Sequence, residues 1–380
     1  MMSHNRFKFF YTCAVVLIAV LISLAVTSLI TAVLGANVLD TFYIIFCYPF
    51  KSMKNLSGVI NIMTPLAIVG IGICIAYRSG FINLGGEGQM TMGILLSLVL
   101  GINATANLPK IIALPAMLIL GALGGAVWGA VAGWLKNRFG VSELLSTVML
   151  NYIASQLFSY CLRIPMMDPA NIGGSGEPQT VKLPKTMWLS KMNELFPFLG
   201  KNTKFHSGLF IAVILAVLVY LLMWKTGAGY KMRAAGLSER AARYGGINVK
   251  KYALLSVILS GALCGLAGTI EILGIHHRGL AGSTGGYGFS GIVVALFGGL
   301  HPIGVLPAAF FFAVISFGCS SLQLNGSPLP SNTIDVLQGL VILVIVATQM
   351  ILKNRYFIDR AERFVNKHFF KKHGEAGKVC

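Results

Sequence analysis

The sequence predicts an all-α polytopic membrane protein with about ten transmembrane helices, two of them broken by glycine-rich segments. Three observations carry that prediction. Only 11% of the 380 residues are charged and 56% are apolar, whereas a soluble domain carries about a quarter charged residues. The mean hydropathy is +0.76, and several uninterrupted apolar runs approach or exceed the ~20 residues that cross a bilayer. The 44 glycines include clusters at breaks between those runs. This arithmetic argues against a soluble enzyme, a secreted disulfide scaffold and a disordered regulator.

The first apolar run extends from about Phe10 to Leu34 behind Arg6 and Lys8. A signal-peptide core is roughly 7–15 residues, so this longer run reads as a retained span within 1–36; the small pair Gly35-Ala36 leaves cleavage as the alternative. Further spans are predicted at about 57–77, 80–101, 111–135, 142–162, 207–224, 252–273, 287–300, 303–324 and 333–352. The run at 287–300 is too short to cross as a straight helix and follows Gly279-Leu-Ala-Gly-Ser-Thr-Gly-Gly-Tyr-Gly288. Irregular backbone survives at membrane depth only under cover of protein or water, so a broken segment lining a cavity is expected there.

A weak internal repeat accompanies this break. Gly85-Gly86-Glu87-Gly88 recurs as Gly285-Gly286-Tyr287-Gly288. Glycine-interrupted spans in two halves point to a transport pathway built from repeats, although an abundant residue also recurs by chance.

Charge sets the expected orientation. There are 30 Lys+Arg against 12 Asp+Glu, a net +18, placed mainly between apolar runs. With ten crossings and the N-terminus inside, inner segments hold 20 of those 30 basic residues. Both termini are then cytoplasmic, the tail 353–380 included, in a multi-pass protein. The positive-inside rule thus explains the basic balance without nucleic acid. The stretch 163–206, with five prolines, falls outside, either as an ordered cap or as a connector. The seven cysteines include no C-x-x-C pair and read as small core residues.

Glycines 121, 125, 129 and 133 repeat every fourth residue, a stripe that lets helices approach closely. Four carboxylates lie in or beside spans. Glu143 after Ser142, and Asp335 after Asn332, read as helix-start features. Glu271 nears an outer helix end, with His276, His277 and Arg278 as expected partners. Glu87, beside Asn83 and Gln89 in the first break, suits a pathway equally well. Tyr287 and Phe289 flank the second glycine-rich break, and Asn151 and Tyr152 lie in the segment Glu143–Ala154; all four are added as candidate pathway residues through the family resemblance given below. Packing by buried amides is the plainer reading of the same residues.

The inner loop 225–251 carries seven Lys+Arg. Ser238 is placed to cap a short helix at about 238–244, with Glu239, Arg240, Ala241, Ala242 and Arg243 inside it and Gly245-Gly246 ending it. By shape it is a docking element on the cytoplasmic side; a basic topological anchor is the alternative. No G-x-x-x-x-G-K-[ST] loop occurs, so any ATPase must be another chain.

Three segments carry a family resemblance. Gly236-Leu-Ser-Glu-Arg-Ala-Ala-Arg-Tyr-Gly-Gly-Ile-Asn-Val249 resembles the coupling-helix region of ABC importer permeases of the branched-chain amino acid, ribose and nucleoside type. Arg78–Met90 and Glu143–Ala154 are similar to the purine nucleoside and guanosine branch. The resemblance covers roughly 55–350 and implies a permease domain over 37–352 in a bacterial cell membrane. It implies ATPase partners that carry the ATP and Mg, a second permease subunit, an extracytoplasmic binding lipoprotein and no cofactor in this chain. Coupling through Gly236, Ser238–Arg243 and Gly246 follows from it. A sugar or other small polar solute is the alternative cargo, and a self-sufficient secondary transporter the alternative class.

Overall fold

The computed structural model describes residues 25, 28–33, 35–103, 109–169, 177–192 and 205–325, with 336 and 339. Among them the regular elements are all helical, and the extended pairings are two isolated bridges, Gln179 with Leu280 and Lys191 with His206. Two compact units divide the chain, residues 47–317 and residues 1–46 with 318–380. In the second unit, α1 (Val38–Phe42) is capped by Asn37 and runs into a π-helical turn from Tyr43. Gly318 lies on the Ile45 backbone, where a Cβ would stand 2.2 Å from the carbonyl oxygen.

The larger unit is built from α2 (Met53–Arg78), α3 (Gly86–Asn103), α4 (Lys110–Phe139), α5 (Glu143–Arg163), α6 (Gly208–Lys225), α7 (Gly227–Leu237), α8 (Glu239–Tyr244), α9 (Val249–Glu271), α10 (Tyr287–Phe297) and the start of α11 (Pro302–Leu324). Five helices are long and apolar enough to cross a membrane among the described residues: α2, α4, α6, α9 with its π-helical extension to His276, and α11. The 18 residues of α3 and 21 of α5 are long enough, at about 27 and 31 Å, but α3 carries Glu87, Gln89 and Asn103 near its ends and α5 is more polar throughout. Eight predicted spans thus coincide with helices. Those at 10–34 and 333–352 fall largely outside the described residues, as do the tail and Asp335, so ten crossings are not established. At eleven residues, α10 covers about 16 Å, half a bilayer. The broken segment expected there is present.

The core is a seam of helices in backbone contact. Cβ atoms added to Gly121, Gly125 and Gly129 of α4 would press on α9: at Gly125 one would stand 2.1 Å from the Gly261 carbonyl oxygen, and at Gly129 2.6 Å from that of Val257. Gly265 answers from α9, 2.2 Å from the Gly121 carbonyl oxygen, and α3 joins through Gly93, 2.4 Å from the Gly265 Cα. In a bilayer no hydrophobic drive pulls helices together, so this closeness supplies the dispersion that does. The predicted stripe is a packing stripe.

The segments predicted on one side do share one end. Gly80, Lys136, Glu143, Glu239, Arg243 and Lys250 are among the residues that line a common cavity of 270 Å³, and Arg78 reaches the carbonyl oxygens of Gly299 and Leu300 at 3.1 and 3.0 Å. Lys136 and Glu143, 2.9 Å apart, close the α4–α5 turn. Ser142 makes no side-chain cap there; the ion pair holds Glu143 instead.

At the opposite end, residues 177–192 form a strap along the tail of α9. Backbone N–H groups of Thr180, Leu183 and Leu189 donate to the carbonyls of Gly279, His277 and Leu273. Trp188 stacks on His277, with ring centroids 3.8 Å apart. This part of 163–206 is thus packed against the chain, and residues 170–176 and 193–204 lie outside the described residues. The expected partners of Glu271 need correction. Only His276 approaches it, at 3.6 Å, because Arg278 bonds Gln179 at 2.8 Å and His277 belongs to the Trp188 stack.

The strap is expected to loosen in acid. Burial and the neighbouring His277 lower His206 to about 4; burial, then Lys182, lower His277 to about 4, with Lys191 and His276 adding to it. Both rings must stay neutral when packed. Their contribution is complete above the unfolded value of 6.5 and is lost as pH falls from there toward 4. Amide protection in 177–192, corrected for the intrinsic pH dependence of exchange, should therefore fall between pH 7.5 and pH 5 relative to the seam helices. An equal change of protection in both would refute this.

Candidate functional site

Two helix N-termini meet inside the larger unit. The chain leaves α2 through Ser79–Gly85 and enters α3 at Gly86; it leaves the π-helical end of α9 through 277–286 and enters α10 at Tyr287. Gly285 and Gly286, at φ +54 and +70, make the second entry, a backbone conformation that glycine adopts without steric cost. Gly86 and Gly288 touch, and a Cβ on Gly288 would stand 2.2 Å from the Glu87 backbone nitrogen. The positive ends of two helix dipoles thus converge roughly 16 Å from the Gly298 end of α10. Glu87 offsets them: its carboxylate accepts from the Gly288 N–H at 2.8 Å and is also hydrogen-bonded by Thr284 and the Gly286 backbone.

A network of amides holds this junction. Asn83 donates to Gln89 Oε1 at 3.0 Å and Ser260 Oγ at 2.9 Å, and its Oδ1 accepts from Gln89 Nε2 and the Gly85 N–H. Asn151, from α5, accepts from the Gly88 N–H at 2.8 Å and donates to the Leu84 carbonyl at 2.9 Å. These orphan groups at the start of α3 would otherwise lie in an apolar interior, packed beside Phe81, Ala132, Leu150, Ala253 and Val257. Replacing Asn151 with leucine should leave two buried groups unpaired, at about 1–3 kcal/mol each. A clear fall in the detergent-solubilised melting temperature is expected. An unchanged melting point for Asn151→Leu would show that water satisfies both groups.

The seven pathway candidates separate by exposure. Asn83, Gln89 and Asn151 are buried in the junction, Glu87 and Tyr287 are half-buried, and Tyr152 and Phe289 are exposed, at 65% and 48%. Tyr152 heads a ladder on α5: Gln156 and Tyr160 follow at four-residue spacing and are exposed too. An amide on an outward face at membrane depth needs water or protein beside it. Gln156 and Tyr160 were not singled out from sequence; the low apolar content of 142–162 relative to the other spans was the available signal.

The short helix of the basic loop is α8, Glu239–Tyr244, capped by Ser238 Oγ, which accepts from the Ala241 N–H at 3.3 Å. Its end is a complete Schellman motif. The Ile247 N–H donates to the Ala242 carbonyl and the Gly246 N–H to that of Arg243, with Gly246 at φ +74. Glu239 and Arg243 pair across one turn, and Arg240 and Ala241 are exposed. Ala242, in contrast, is 5% exposed and faces its own chain, so it is not available to a docking partner as the other residues of the helix are. The outward apolar groups are Leu237 and Tyr244, 86% and 97% exposed on either side of α8, neither of them among the coupling residues expected from sequence.

A family model described as the permease component of the branched-chain amino acid transport system matches residues 55–346. The chain belongs to this permease family. Within it, the guanosine ABC transporter permease protein NupP of Bacillus subtilis is 31% identical over 88% of this chain and 93% of its own. The glucose ABC transporter permease protein TsgB13 of Haloferax volcanii is 30% identical, covering 89% and 88%. A second Bacillus subtilis guanosine permease protein, NupQ, is 31% identical over 70% and 80%. The chain is thus a multi-pass ABC transporter permease, and its role is transport, with ATP hydrolysis on a separate ATPase chain.

Proposed function

We infer that this permease is one of two that together form the passage of an ATP-driven importer for purine nucleosides. The observation that carries the reading is a backbone path from α8 to the mid-depth junction. Gly236, at the end of α7, lies on the Arg78–Gly80 turn, where a Cβ would stand 2.2 Å from the Arg78 carbonyl oxygen and 2.7 Å from the Gly80 nitrogen. Gly80 leads through Asn83 to Gly86 and so to the contact of Glu87 with Gly288. A push on α8 reaches that junction through contacts with no side chain between to absorb it.

The family supplies the energy source: ATPases dock on Leu237, Ser238–Ala241, Arg243 and Tyr244, on the cytoplasmic side by the charge bias of the loops. Two guanosine permease proteins in one Bacillus strain, both related to this chain, favour a pair of unlike permeases, with this chain in the place of NupP. A binding lipoprotein would deliver the cargo at the strap end. The α5 ladder of Tyr152, Gln156 and Tyr160 offers rings to stack a base and an amide for its polar edge. The glucose permease relative favours a second reading, a sugar.

Uptake of labelled guanosine and glucose, with and without the chain, separates the two. Loss of guanosine uptake alone is expected; loss of glucose uptake alone would establish the sugar. Gly236→Val should abolish uptake while the ATPase still co-purifies, and normal uptake by that variant would break the proposed path.

A further inference from the structure

Beside the coupling end of α6 lies a cluster that the transport reading leaves unused. The guanidinium carbons of Arg78 and Arg233 sit 5.5 and 5.4 Å from the centroid of the same ring, Trp224. Tyr220 stacks on Trp224 at 5.6 Å, and His301 lies 4.8 Å from it. A guanidinium has five N–H donors. Arg78 uses two on the Gly299 and Leu300 carbonyls. Arg233 makes no hydrogen bond to a described residue, and its Nε is buried without a partner. Among the described residues no carboxylate pairs with either. Glu143 and Glu239, on the same end, are taken by Lys136 and Arg243.

Two cations held over one indole, with unspent donors, call for an anion, and the surroundings say which. The outward stripe of α6 runs Val213, Val217, Leu221 in steps of four, all exposed and apolar, on a helix whose apolar window is only 28% buried. Tyr220 and Trp224 continue that stripe to the helix end. Aromatic side chains closing a lipid-facing stripe mark the depth where acyl chains give way to headgroups, and basic pockets at that depth hold anionic headgroups.

We propose that Arg78 and Arg233, set around Trp224, bind the phosphate of an anionic phospholipid in the leaflet on the coupling side. The acyl chains lie along α6, and the forked donors match the phosphate oxygens as a lysine would not. The bound lipid fastens α6 and α7 to the end of α2 and the α10–α11 turn.

The full-length chain, purified with its transporter partners in detergent, is incubated with phosphatidylglycerol or phosphatidylcholine and the retained lipids are counted by native mass spectrometry. The wild type should keep phosphatidylglycerol and shed phosphatidylcholine. Arg233→Gln should bind phosphatidylglycerol about tenfold more weakly, the loss expected for one charge-assisted hydrogen bond. Arg233 bonds no described residue, so this variant should fold even if Arg78→Gln does not. Excess inorganic phosphate should displace little lipid. Equal retention by Arg233→Gln overturns the proposal, as does ready displacement by inorganic phosphate, which would mark a soluble-anion site. Loss of ATPase co-purification at unchanged lipid retention would make the cluster a protein contact and also overturn it.

Discussion

Gly246→Val is expected to abolish uptake while the chain remains in the membrane at wild-type abundance. No atom stands within 4 Å of the missing Cβ, so the substitution meets open space and only the backbone objects. At φ +74 a β-branched residue is strongly disfavoured, by about 1–2 kcal/mol for an ordinary side chain and more for valine. A six-residue helix has no stability of its own to absorb that cost. Losing the Schellman turn frees the Ala242 and Arg243 carbonyls, α8 unwinds, and Leu237 and Tyr244 lose their spacing. Gly246→Asn, which tolerates the same backbone, should keep most uptake. Truncating both Leu237 and Tyr244 to serine should reduce ATPase co-purification with the helix intact. Normal uptake by Gly246→Val and by the double serine variant would leave α8 as a topological anchor.

Gly125→Val should have the opposite signature, little protein in the membrane and correspondingly little transport. Its Cβ alone would stand 2.1 Å from the Gly261 carbonyl oxygen and 2.7 Å from the Gly265 nitrogen, both rigid backbone. Relief requires α4 and α9 to separate, which also parts Gly121 from Gly265 and α3 from both. Overpacking of this kind costs about 1–3 kcal/mol where side chains can adjust, and here they cannot. Gly140→Ala, in open space at the end of α4, is the control: it has a strained φ of +68 but leaves the seam untouched. Quantitative immunoblotting of membranes should rank wild type above Gly140→Ala and both far above Gly125→Val. Comparable abundance of Gly125→Val and wild type would mean that the seam tolerates spreading.

Much of this was readable from the chain. Helix positions followed from apolar length, and the α4 stripe and the Ser238 and Gly246 ends of α8 from local chemistry that depends on near neighbours in sequence. What escaped depends on distant ones. The Asn151 bond to Gly88 spans 63 positions, and nothing in the sequence shows that this amide is spent inside while its neighbour Tyr152 faces out. Ala242 and Tyr244 are likewise two residues apart, and only the packing of α8 decides which is buried. Glu87 could be seen to sit in a break, but its use as a brace on α10 required knowing that the two breaks touch.

The half-length of α10 bears on how the protein is made. An eleven-residue helix behind a glycine-rich coil is a poor stop for insertion machinery that sorts segments by apolar length. Within the coil at 277–286, the Gly279 N–H and the carbonyls of His277 and Gly279 find their partners in residues 177–192, and α10 rests on α2 through Gly291 and Val69. Entry of this part into the bilayer must therefore wait for earlier parts of the chain. Nascent chains stalled far enough beyond residue 300 for 287–297 to have left the ribosome should show that segment shielded from water only when 53–192 precede it, and the same segment grafted alone between soluble flanks should be translocated instead of retained.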